Sequence, residues 1–97
     1  MERKEYEQIG DVMRGFIRMA RMEEQMEERQ AVYLWPAVVG SEIARQGPRP
    51  VVRAGVMYIS IPNAGLRNEL HLRRSRLCNM LNSMLEHPVI KEIKFVS

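Results

Sequence analysis

With 97 residues, 45% of them hydrophobic and 28% charged, the chain has the composition of an ordinary folded protein and the length of one domain around one core. A single cysteine, Cys78, excludes an internal disulfide and a cysteine-rich zinc site, so packing has to supply the stability. The formal charge of +3 conceals an asymmetry: residues 1–30 hold eight acids against six bases, and residues 31–97 hold four acids against nine bases. A footprint for a polyanion therefore belongs in the second part.

The start, Met1-Glu2-Arg3-Lys4-Glu5, is polar, and no window reaches the ~20 apolar residues of a membrane span. A cytoplasmic protein of one domain, 1–97, with its core over about 9–96, is expected. Ile9, Val12, Met13, Phe16, Ile17 and Ala20 recur at the three-and-four spacing of an amphipathic helix, with Arg14, Arg18 and Arg21 elsewhere on the turn. Phe16 is assigned to the core. The charged run Glu23 to Arg29 contains no Gly or Pro, and either prolongs this helix or connects it tightly to a second one. Val32, Trp35, Val39 and Ile43 form the next stripe, with Trp35 in the core. Pro36 lacks an amide donor, so this helix is expected to end or kink at Trp35 and to restart to about Arg45. Gly47-Pro48-Arg49-Pro50 stops it.

Val51 to Arg53 and Val56 to Ile61 are β-branched runs separated by Ala54-Gly55, which predicts a hairpin with Met57, Ile59 and Ile61 on its packed side. Asn63 is placed to cap a third helix carrying Leu66, Leu70, Leu77, Leu81 and Leu85, which His87-Pro88 ends. Val89 to Val96 alternates as a third strand that holds Phe95 in the core. The order helix, helix, strand, strand, helix, strand defines an α+β fold.

Arg67, His71, Arg73, Arg74 and Arg76 share the third helix. A step of ~100° per residue aligns Arg67, His71 and Arg74 along one edge, suited to tracking phosphates. The alternative is a solvated face. Arg49 and Arg53 beside the first strand, with Lys91 and Lys94 on the third, extend the same positive surface if sheet margin and helix are neighbours. Tyr58 would then offer a base a ring to stack on. Met19, Met22 and Met26 form a soft series suited to a protein partner, or serve as filler. Catalysis is not expected, nor is a cofactor. His71 and Cys78 stand ~10 Å apart along a helix, and no metalloprotease, Cys-x-x-Cys, P-loop or dinucleotide pattern occurs.

Trp35-Pro36-Ala37-Val38-Val39-Gly40, then Ile43-Ala44, the Pro50 to Ile61 hairpin with Gly55, Glu69-Leu70, Leu81-Asn82 and Ile93-Lys94-Phe95 together resemble the DciA-like family of replicative helicase loaders over roughly Ile9 to Phe95. The resemblance implies a KH-like domain, with helices on one face of a three-stranded sheet. It also implies binding of single-stranded or forked DNA and recruitment of the bacterial replicative helicase, without enzymatic activity. Leu66 stands where the family often has a second tryptophan, and the Gly-x-x-Gly loop with which KH domains clamp a nucleic-acid backbone is absent. A KH-like RNA-binding module and a protein-interaction adaptor are the alternative readings.

Overall fold

The polar run Glu23 to Arg29 continues the first helix, and Pro36 does not end it. In the computed structural model, which describes residues 5–97 with side chains from Glu7 onward, α1 is one helix of 35 residues, Glu5–Val39. The polar start, Met1 to Lys4, lies outside the described residues. A mid-helix proline costs ~3 kcal/mol or more. Here Ala31 and Trp35 before it are buried, and Leu34, Val38 and Val39 around it pack on the core, so burial of this face outweighs the break that local propensity predicts. The helix closes at Gly40, whose φ of 98° lies in the left-handed region. The short α2, Ser41–Ala44, follows.

The hairpin forms where the sequence places it. Strands β1, Val51–Arg53, and β2, Val56–Ser60, pair antiparallel through the two-residue turn Ala54-Gly55, both of whose residues have positive φ, the requirement of a tight primed turn. Helix α3, Ala64–Leu72, starts at Asn63, whose side chain accepts the Leu66 amide at 2.8 Å. The predicted third helix is broken: Arg73 leaves helical geometry at φ −100° and ψ 8°, and α4, Arg74–Ser83, runs on from it. Strand β3, Glu92–Val96, lies parallel to β2, giving the order β1-β2-β3. The Ile61 amide extends that ladder to the Val96 carbonyl at 2.8 Å.

Helices pack on one face of this mixed sheet. Trp35, Met57, Ile59, Ile61, Leu70, Leu77, Leu81, Ile90 and Ile93 form the core, and the Trp35 and Phe95 rings meet with centroids 6.2 Å apart. Burying each large side chain contributes about 1.5–3 kcal/mol. Phe16 is not among them. It is 73% exposed, because the first turns of α1 project past the sheet, so its assignment to the core is corrected. The molecule measures 66 × 23 × 20 Å.

Candidate nucleic-acid interface

The basic residues of the third predicted helix fall into different roles because that helix is two. Arg67, which closes the first turn of α3, points back to the sheet: its guanidinium donates to the Ile61 carbonyl at 2.9 Å and the Pro62 carbonyl at 3.4 Å. It fastens the loop from β2 to α3. Past the break, Arg74 donates to the His71 carbonyl at 2.9 Å, with the His71 ring nitrogen Nε2 at 3.3 Å. Arg73 pairs with Glu69 at 3.3 Å, both side chains exposed. Arg76 stands two positions, or ~200°, from Arg74 around α4. Leu77, Cys78 and Leu81 face the core, so Arg76 lies on the outer side of the helix. The break thus gathers His71, Arg73 and Arg74 at the start of α4, where Arg73 supplies no side-chain cap and the first amides favour negative charge.

Lys91 reaches this junction from the other end of the chain. Its amide donates to the Gly55 carbonyl at 2.7 Å, and its side-chain stem lies so close over Gly55 that an added Cβ there would sit 3.0 Å from Lys91 Cγ. Asn82 fixes the preceding residue, donating to the Ile90 carbonyl at 2.8 Å and accepting the Ile90 amide at 3.1 Å. As a result Arg74 and Lys91 line one shallow depression of about 150 Å³ with Ser75, Asn79 and Glu92. The Glu92 carboxylate offsets part of the positive charge. Cys78 lies at the floor, and its thiol contacts the Ile90 carbonyl at 3.4 Å. Burial, reinforced by Glu92, pushes the thiol's pKa up, which keeps it an unreactive neutral group.

The open face of the sheet carries the second group. Tyr58 pairs in register with Lys94 on one side and Val51 on the other, and Arg53, Val56 and Glu92 form the next row. Side chains in register point to the same face, and Met57 and Ile59 are buried on the opposite one. Arg53, Tyr58 and Lys94 therefore share the open face, Tyr58 half-buried and the two cations exposed.

Arg49 belongs to neither group. It lines a cleft of about 540 Å³ between α1 and the segment leading to β1, with Arg29, Tyr33, Trp35 and Pro36. Tyr33 is 81% exposed. Arg29 and Tyr33 escaped the sequence reading, although their spacing of four places them side by side on any continuous helix. That continuity was the undecided point.

Met19, Met22 and Met26 are all exposed on α1, and Met26 borders a cleft of about 360 Å³ with Glu23, Glu27, Met84 and His87. The ligand atoms of Glu27, Glu86 and His87 lie within 4.8 Å of one another. Glu27 already accepts both the His87 amide at 2.9 Å and its Nδ1 at 3.1 Å, so the group works as a clamp from α1 to the segment after α4. The hydrogen bond and the charge of Glu27 raise the His87 pKa.

Helices packed on one face of an open, three-stranded mixed sheet make this an α+β domain of KH-like fold. The family described as Dna[CI] antecedent, DciA, matches residues 8–95, and the chain belongs to that family. No curated protein and no solved structure matches it. Family membership makes the chain a non-catalytic accessory factor of replication. No helix among the described residues is long and apolar enough to cross a membrane.

Proposed function

We propose that the protein binds single-stranded or forked DNA through the start of α4 and the adjoining margin of β3, and brings the replicative helicase to it. One observation carries the reading: Arg74 and Lys91, separated by a whole helix in sequence, line the same depression beside His71 and Arg73. Cations converging from separate elements are what a phosphate backbone requires, whereas a merely solvated helix face has no need of the strand. Arg53, Tyr58 and Lys94 on the open face extend the path, and Tyr58 is the residue there on which a base can stack. The exposed methionines of α1 are the surface we assign to the helicase, since methionine packs against irregular partners.

The test is fluorescence anisotropy with fork and single-stranded DNA across a salt series, comparing wild type with Arg74→Ala/Lys91→Ala. Each lost phosphate contact lowers the slope of log K against log salt by about 0.7–0.9, so the double variant loses up to ~1.8 together with affinity. Unchanged slope and affinity refute the site. Arg67 is unsuitable for this purpose, because its guanidinium holds backbone carbonyls and its loss would confound folding with binding. Tighter binding of RNA than of DNA of the same sequence would instead favour the RNA-binding reading.

A further inference from the structure

Ile9, Val12, Met13, Phe16 and Ile17 lie on one side of the projecting part of α1, and all are exposed, Val12 by 71% and Phe16 by 73%. At ~100° per residue this stripe is in line with Ala31, Leu34, Trp35 and Val38 further along the same helix, the face that the core covers. The face that packs the domain thus runs on past it with nothing among the described residues against it. Taken with side-chain areas of 150–250 Å² for the largest members, the exposed fractions amount to roughly 600 Å², at the upper limit of what monomers leave uncovered.

The helix itself needs a partner here. Gly10 and Gly15 interrupt this stretch, each costing a helix interior measurably against alanine, and helices in proteins draw most of their stability from packing an apolar face. We propose that the stripe pairs with the same stripe of a second copy of this chain, the two α1 helices running antiparallel about a two-fold axis near residues 14 and 15. That register sets Met13 opposite Phe16, Val12 opposite Ile17, and Ile9 opposite Ala20, apolar against apolar at every level, as a self-complementary interface requires. Two stripes together bury on the order of 1,200 Å², the lower end of the range of stable interfaces.

Charge selects the direction. Glu23, Glu24 and Glu27 continue the stripe's face toward the domain, so parallel helices would stack these acids against one another across the seam. Antiparallel pairing over residues 9–20 leaves them outside it. Met22 and Met26 lie ~110–150° around the helix from the stripe's centre, and stay available to another partner. The pairing stands independently of the DNA-binding site.

Sedimentation equilibrium of the full chain from about 1 to 200 µM, repeated with Phe16→Asp, tests it. A dimer in the micromolar range that the substitution converts to monomer is expected, with Trp35 fluorescence unchanged because Phe16 lies outside the core. A wild-type monomer throughout, or a dimer indifferent to Phe16→Asp, overturns the proposal. So does a monomer whose capture of the replicative helicase is lost on Phe16→Asp, which would give the stripe to the helicase. Oxidation fixes the direction: Ile9→Cys/Ala20→Cys is expected to cross-link between chains. Ile9→Cys alone is expected not to, since antiparallel helices hold the two copies of position 9 ~16 Å apart, beyond disulfide reach. A cross-link in the single variant overturns the antiparallel arrangement.

Discussion

Replacing Asn82 by alanine is expected to damage both stability and the DNA site. Its side chain satisfies the amide and the carbonyl of Ile90 at once, and Ile90 is 2% exposed, so water cannot replace either bond without opening the core. An unsatisfied buried backbone group costs about 1–3 kcal/mol. The carbonyl keeps its contact with the Cys78 thiol at 3.4 Å, a weak donor, which trims the loss. The sum is about 2–4 kcal/mol, and at roughly 4–8 °C per kcal/mol for a domain of this size the melting temperature falls by about 8 °C or more. Asn82→Asp keeps the acceptor and sets a carboxylate against the Ile90 carbonyl, so it is expected to be at least as harmful at neutral pH and to recover part of the loss once protonated. Urea denaturation followed by Trp35 fluorescence and far-ultraviolet circular dichroism measures both variants. Under conditions where Asn82→Ala remains folded, weaker DNA binding is also expected, because Lys91 follows directly on Ile90. A loss below about 0.5 kcal/mol, the ordinary range for surface substitutions, would refute the claim that Asn82 holds the approach to β3.

Gly47→Ala is expected to destabilise the domain strongly, since the new Cβ would lie 2.4 Å from the Ser60 carbonyl oxygen; thermal melts check this, and a wild-type melting temperature refutes it. Ala54→Gly, at φ 50°, relieves a left-handed alanine and is expected to stabilise by up to about 1 kcal/mol in urea titrations. The raised pKa of His87 means that its tie to Glu27 contributes fully below about pH 6.5 and fades as pH rises through the folded value. The stability difference between wild type and His87→Ala should therefore be larger at about pH 5.5 than at pH 8.5, and a pH-independent difference refutes the clamp. Cys78, with its raised pKa, should react with a thiol reagent far more slowly in the native than in the unfolded protein, whereas equal rates would contradict its burial.

What the sequence made legible was local. The Ala54-Gly55 turn, the Asn63 cap and the alternation through Met57 and Ile59 are set by neighbouring residues, and each forms where short-range rules put it. Pro36 was misleading because its cost is local while the gain from packing Val38 and Val39 comes from core residues far along the chain. The break at Arg73 has no Gly or Pro to announce it. Leu70 faces the core from α3 and Leu77 and Leu81 from α4, a spacing of seven and four that an unbroken helix would satisfy equally, so the leucine pattern gives no notice of the break. The break interrupts the expected line between His71 and Arg74, and Arg67, although on α3 with His71, is a fastener of its loop. The stripe from Ile9 to Ala20 was read correctly as amphipathic, but amphipathicity alone does not say whether the covering surface belongs to the same chain.

The sheet has three strands and no closure, so β1 and β3 each present one unpaired backbone margin. β1 is only three residues long and is preceded by Pro50, which cannot donate to an incoming strand. On β3, Glu92 and Lys94 alternate with Ile93 and Phe95, and charged side chains on an outer strand discourage edge-to-edge growth of sheets. The residues proposed to meet DNA are thus also guards of solubility. Variants that strip Arg53, Glu92 and Lys94 together are expected to aggregate before they report on binding, so single replacements that conserve charge on the outer strand are the sound route to mapping this face.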